Sequence, residues 1–310
     1  MAPPSDTDAP IHVALERVLR AQRSRLVATL ATGLRDLSLA EDALQDAVVA
    51  ALTQWPRQGM PGSPEGWLLA VARRRAIDRL RRVARSEVAR ERLVALADEA
   101  AEAGVPASVP DDRLGLIFAC CHPALDAKSR VALTLRTVCG LSTREVAGLF
   151  FDAEPTMGQR LSRAKTKIAA AGIPFGVPEP EDWPKRLDSV LTTLYLIFTV
   201  GYAAGPDEPR DLCAEAEYLV RLVDRLRPEV AEIEGALAMM LLIGSRRRAR
   251  VAADGASVPP AEQDRSLWDT ARIAEGRSVL REAVGRGTPG PFQIKAAIAD
   301  CHMLDGGFWA

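Results

Sequence analysis

Apolar residues recur at three- and four-residue spacing through nearly the whole chain, and no stretch alternates with the period of two that a half-buried strand requires. That pattern gives each segment one apolar stripe to bury, so the expected fold class is all-α. Helix starts are marked by chemistry as well as by period. Ser38-Leu39-Ala40-Glu41 and Ser142-Thr143-Arg144-Glu145 both fit a capping box, in which the Ser oxygen accepts from an early backbone N–H and the Glu reaches back. Ser63-Pro64 places a capping Ser before a Pro at the first helical position.

Pro and Gly divide the chain at 56–64, 104–110, 172–184, 201–209 and 255–260. The 310 residues then read as a disordered tail (1–10), a first helical domain (11–85), an acidic linker (86–110), a second helical domain (111–173), a short linker (174–182) and a helical extension (183–310). In the extension, Leu212–Leu226 and Val230–Ile243 suggest helical hairpins. No apolar run is long enough to span a bilayer, and Met1–Pro10 lacks a signal-peptide pattern, so a cytoplasmic protein is expected. Cys120, Cys121, Cys139, Cys213 and Cys301 are odd in number and lack CxxC spacing. Neighbours such as Cys120, Cys121 and His122 diverge by about 100° on a helix, so buried thiols are expected rather than a metal site. His12, His122 and His302 form no arrangement with a nucleophile, and there is no Gly-rich phosphate loop. Neither an enzyme nor a cofactor is expected.

The net charge of −1 conceals strong segregation. Residues 73–92 carry nine Arg against three acids, while 94–112 carry five acids and no base. Within 67–82, Leu69, Ala72, Ala76 and Leu80 share one stripe, and Arg74, Arg75, Asp78, Arg81 and Arg82 lie opposite. Such a face suits phosphate contacts, with Asp78 able to orient Arg74 and Arg82 at four-residue spacing; the plainer alternative is a solvated charged helix. Trp67 reads as a core anchor, while Trp55 is open to packing or to stacking on an unpaired base. Upstream, Glu41-Asp42-Ala43-Leu44-Gln45-Asp46 offers an acidic face. Downstream, a helix over Leu141–Phe150, a turn at Phe151-Asp152-Ala153 and a second helix over Glu154–Ala171 fit a helix-turn-helix. Met157, Leu161, Ala164 and Ile168 form its apolar face. Thr156, Gly158, Gln159, Arg160, Arg163 and Lys167 are placed to meet bases or phosphates. The turn is imperfect, because Phe151 stands where a Gly would ease the backbone and Ala153 is a weak cap.

Three of these segments, in this order, resemble extracytoplasmic-function sigma factors. Ala40–Asp46 looks like the polymerase-binding helix of that family, Trp67–Arg82 like its minus-ten helix, and Leu141–Ala147 with Glu154–Lys165 like its minus-thirty-five domain. Asp111–Cys121 and Gly172–Tyr202 resemble a subgroup with a C-terminal, tetratricopeptide-like helical extension, although Cys301–Ala310 ends it early. Arg74 replaces a frequent Asn, and Asp152 occupies a position that is usually apolar. The resemblance implies two small helical sigma domains joined by an acidic linker, plus a C-terminal helical-hairpin domain. It further implies docking on core RNA polymerase by Asp42, Gln45 and Asp46, and minus-ten contact by Arg74, Arg75, Asp78, Arg81 and Arg82. A flipped promoter base would be held by the Trp55–Ser63 loop, with Trp55 part of the set, and the Thr156–Arg163 segment would read the minus-thirty-five element, with Lys167 in its contact set. A one-component regulator with a C-terminal sensor and a helical scaffold are the alternatives; an anti-sigma or other regulatory partner is left unassigned.

Overall fold

The computed structural model describes residues 8–83, 112–179, 181–204, 211–252 and 256–303. The described residues are helical with no strand, apart from an isolated bridge between Val251 and Ser257. The helices are α1 (Asp8–Leu34), α2 (Leu37–Gln58), α3 (Pro64–Val83), α4 (Arg113–Cys120), α5 (Ala127–Thr137), α6 (Thr143–Leu149) and α7 (Glu154–Ala170). They continue as α8 (Trp183–Ala204), α9 (Leu212–Leu226), α10 (Ala231–Gly244), α11 (Thr270–Gly285) and α12 (Pro291–Cys301). Of the segment expected to be a disordered tail, residues 8–10 belong to α1; residues 1–7 lie outside the described residues, as does the acidic linker. No described helix is long and apolar enough to cross a membrane.

The chain forms two compact units, Met1–Arg186 and Leu187–Ala310. In the first, α1, α2 and α3 pack on one another. Small residues on α2 (Ala40, Ala43, Ala47 and Ala51) are buried, which lets the α1 stripe of Leu26, Val27 and Leu30 and the α3 stripe of Leu68, Leu69 and Ala72 approach closely. The start of α2 differs from expectation. Asp36 is the N-cap and accepts from Leu39 N–H at 3.0 Å, so Ser38 lies within the helix. Burial of Leu37 decides the matter, because it draws the first turn two residues toward the core. Ser63 does cap α3, accepting from Gly66 N–H at 3.2 Å.

Helices α4–α7 belong to the same unit, and α4 packs on α1. Residues 173–176 help to join them: Ile173 and Phe175 are buried, and Thr32 Oγ1 donates to Phe175 O at 3.1 Å. A Cβ on Gly115 would meet that same carbonyl oxygen at 2.6 Å, so only Gly admits the contact. The segment expected to be a linker after 173 therefore begins as part of the core. Cys120, Cys121 and Cys139 are buried thiols of this unit, with Cys121 Sγ 3.5 Å from Thr134 Oγ1.

In the second unit α10 is apolar around most of its circumference after its first turn and nearly all buried, and it is packed by α9, α11 and α12. The α9 bounds match the expected segment, while α10 runs one residue later than its expected span. Two acids on α10 are matched locally. Glu234, 7% exposed, takes two hydrogen bonds from Arg286 at 2.7 and 2.5 Å. Glu232 accepts from Phe292 N–H at 3.1 Å, where the opening turn of α12 leaves backbone donors unpaired by the helix. Cys213 is buried, donates to Phe198 O at 3.5 Å, and has its thiol pKa pushed up by burial to about 11.

Candidate nucleic-acid interface

The α3 helix separates its faces as the wheel requires. Leu69, Ala72 and Ala76 are buried, whereas Arg74, Arg75, Asp78, Arg81 and Arg82 are exposed. The charges are arranged differently from expectation. The Asp78 carboxylate lies 3.9 Å from Arg81, three residues on, and Arg82 Nε donates to the Asp78 backbone carbonyl at 3.2 Å. Arg74 and Arg75 have no carboxylate partner among the described residues, which leaves two guanidiniums available for an external anion. Exposed pairs such as Asp78–Arg81 contribute about 0–1 kcal/mol, so they aim side chains more than they hold the helix.

Trp55 corrects the expectation placed on it. It is 1% exposed, sits within the last turns of α2, and meets Trp67 edge-on with ring centroids 5.4 Å apart. A ring enclosed in this way cannot stack on a base. The cause is local: Ala47, Ala51 and Trp55 follow at four-residue spacing on the buried stripe of α2, a signal present in the sequence. In the loop that follows, Gly59 closes α2 at φ 81° by donating to Trp55 O, and Met60 is the exposed apolar side chain at 52%.

On the acidic face of α2, Gln45 and Asp46 are exposed, and Asp42 is half exposed. Asp42 Oδ2 pairs with Arg79 of α3 at 2.9 Å, so the acidic and basic helices are joined at their rims. Glu41 does not share that face. Its side chain is 10% exposed and holds Arg23 of α1 at 3.4 Å and Lys165 of α7. This pairing ties α2 to α7 and removes Lys165 from the exposed basic set. Beside it, a cleft of about 510 Å³ opens between the α1–α2 turn and the end of α7, lined by Thr32, Arg35, Ile168 and Phe175 among others.

Helices α6 and α7 are joined by a short turn, with the Ser142–Glu145 capping box fully formed. Phe151 adopts φ 54° in the left-handed region and is 99% exposed, so the strain anticipated at this residue is present and its ring packs on nothing. Ala153 caps α7 without a side-chain hydrogen bond. Asp152, at a position expected to be apolar, is matched by Lys128 Nζ at 3.0 Å. Met157, Leu161, Ala164 and Ile168 are buried as a stripe. Opposite them Thr156, Gln159, Arg163 and Lys167 are exposed, while Gly158 and Arg160 are partly covered. Arg160 is turned toward Asp126 at 3.7 Å, and Gln159 Oε1 accepts from Arg163 at 3.5 Å. A hydrogen bond from the Ser129 hydroxyl, helped by its backbone N–H and by Arg160, holds the Asp126 carboxyl below the usual aspartate range.

Two family models match the chain. Residues 18–86 match Sigma-70 region 2, and residues 186–284 match a family of unknown function (DUF6596). The chain is 43% identical over 296 residues to "Uncharacterized protein R00370" of Rhizobium meliloti (strain 1021), covering 93% of this chain and 70% of that protein. No solved structure matches it.

Proposed function

We propose that this chain, which belongs to the sigma-70 family, binds core RNA polymerase and directs promoter-specific transcription initiation. Within the family we assign it to the extracytoplasmic-function class, in a subgroup with a helical, tetratricopeptide-like C-terminal extension, acting in the cytoplasm without catalytic chemistry of its own. One observation carries the reading: the match to region 2 falls on α1–α3, and α3 turns Arg74, Arg75, Arg81 and Arg82 outward on an otherwise packed helix. Asp42, Gln45 and Asp46 on α2 dock on the polymerase. The α3 face, with Asp78 aiming Arg81, engages the minus-ten element largely through phosphates. Thr156, Gly158, Gln159, Arg160, Arg163 and Lys167 meet the minus-thirty-five element in a helix-turn-helix, each good bidentate base contact worth about 1–3 kcal/mol. Trp55 is not in the set. Arg160 reaches DNA by exchanging Asp126 for a phosphate or base, which its long 3.7 Å pairing favours.

The test is transcription in vitro with core polymerase on fragmented genomic template, with transcript 5′ ends read by sequencing. Starts that depend on this chain, and that fall away with R74E/R75E and with R160E/R163E, support the proposal. Starts that do not depend on it, or that persist in both double variants, overturn it. Tight sequence-specific DNA binding without polymerase would point instead to a one-component regulator.

A further inference from the structure

In the unit Leu187–Ala310, arginines near the helix seams are matched to carboxylates. Arg247 Nη1 donates to both oxygens of Asp211 at 2.7 and 2.8 Å. Arg272 and Arg221 share Glu217, and Arg221 also reaches Glu275 at 2.7 Å. Arg277 meets Asp300 at 2.5 Å, and Arg286 holds Glu234. Arg246 departs from this pattern. It lies deeper than any of them, 5% exposed, yet its Nε and Nη1 are both buried without a hydrogen-bond partner among the described residues.

The recorded neighbours of Arg246 are aromatic. Its guanidinium carbon lies 6.0 Å from the ring centroid of Trp268, itself 8% exposed and with an Nε1–H that is likewise buried and unpartnered. Arg265 lies over the same ring at 4.9 Å. Arg250 lies over Tyr202 at 4.6 Å and donates to its backbone carbonyl at 2.5 Å. The site is built where the chain leaves α10 and returns to α11, and Asp269 N–H, donating to Ser245 O at 3.0 Å, pins the two segments together.

A guanidinium cannot shed its proton in a protein, so burial leaves Arg246 charged and in need of an anion. A cation–π contact at 6.0 Å is at the outer limit of useful range and compensates only part of that need. Burial pulls the Arg246 pKa down, and among its described neighbours only Tyr202 raises it. The orphaned groups of Arg246 and Trp268, two guanidinium N–H donors and one indole N–H, are all donors; in the same connection Gln263 Oε1 is a neutral buried acceptor that is likewise unpartnered among the described residues and carries no charge to balance Arg246. The complement of these donors is a group that only accepts and carries negative charge; Nε and Nη1 lie on different edges of the guanidinium, so each offers one bond to an anionic oxygen.

We propose that Arg246 and Trp268 form the floor of an oxyanion site in the C-terminal unit, which takes the phosphate or carboxylate group of a small anionic ligand. Arg265 and Arg250 stand at its margin. Its residues are none of those assigned to DNA and polymerase, and its test needs no transcription.

Full-length protein is titrated with inorganic phosphate and, separately, with citrate, against chloride at matched ionic strength, by calorimetry and thermal shift. The expected result is saturable binding of at least one probe; which one binds identifies the ligand as a phosphate or a carboxylate. R246K, which keeps the charge and loses the fixed planar donors, is expected to weaken binding at least tenfold, and W268F severalfold. R277M, in the same unit but matched to Asp300, is expected to bind as wild type does. Absence of saturable binding to both probes, or equal binding by wild type and R246K, overturns the proposal.

Discussion

Replacing Glu41 by Gln is expected to destabilise the first unit by about 1–3 kcal/mol, between the 3–5 kcal/mol of breaking a fully buried pair and the 0–1 kcal/mol of a surface pair. The structure sets that interval. Glu41 is 10% exposed and faces two cations, Lys165 Nζ and Arg23 Nη2. Gln keeps the volume and one acceptor oxygen but withdraws the negative charge that both cations face. Lys165 and Arg23 retain 21% and 23% side-chain exposure, so water recovers part of the loss. Arg23 also keeps its long bonds to the carbonyls of Arg136 and Thr137 at 3.4 Å. Urea titration gives the total, and native-state hydrogen exchange on α2 and α7 assigns it to this seam. A double-mutant cycle of E41Q with K165M should return a coupling of about 1 kcal/mol, because the residues are in direct contact. Raised salt should change it little, as a covered pair is poorly screened. A cost below about 0.5 kcal/mol, with the two substitutions additive, would refute the claim that this pair fastens α2 to α7.

Asn at 151 should stabilise the protein by about 0.5–1 kcal/mol, since it tolerates the left-handed region better than Phe and the ring is 99% exposed; a loss of stability in a melt would show that the ring packs after all. Trp55→Ala should cost about 3–5 kcal/mol by chemical denaturation, whereas W55F should leave promoter opening unchanged; loss of opening in a fully folded W55F would restore a base-stacking role. Asp126 is ionised more readily in the folded state, so its contribution is complete above the ordinary aspartate range near pH 4 and is lost as pH falls through its lowered folded value. D126N should therefore flatten that part of the acid limb of a stability–pH curve, and an unchanged limb would count against the assignment.

Local chemistry was legible in the sequence and long-range chemistry was not. The Ser142–Glu145 box, the α7 stripe and the opposed faces of α3 involve residues within one or two turns of one another, so spacing alone places them. Even the strained Phe151 could be anticipated, because a tight turn between helices calls for a residue that accepts positive φ. Asp36 and Ser38 are both good caps two residues apart, and only the burial of Leu37 separates them. Glu41 and Lys165 are 124 positions apart, and each belongs to a surface-like pattern in its own helix; their pairing arises from how helices pack, which no local period encodes. Arg246 was hidden for a related reason. In Arg246-Arg247-Arg248 the three basic residues look alike, yet burial makes the first an orphan, while Arg247 finds Asp211.

Arginine in this chain thus has at least three physical uses, and the net charge of −1 averages over them. On α3, Arg74 and Arg75 stand in solvent with no internal carboxylate partner among the described residues, so reversing them changes what the surface attracts while leaving the core intact. In the second unit Arg272, Arg221 and Arg286 are locked to carboxylates on neighbouring helices (Glu217, Glu275 and Glu234), so the same reversal would place like charges together in partly covered seams and loosen the packing. Arg246 is neither displayed nor matched. A charge-reversal scan therefore has to be read unit by unit: loss of promoter-directed activity with stability unchanged is informative on α3, whereas in the second unit it is informative only after unfolding has been measured.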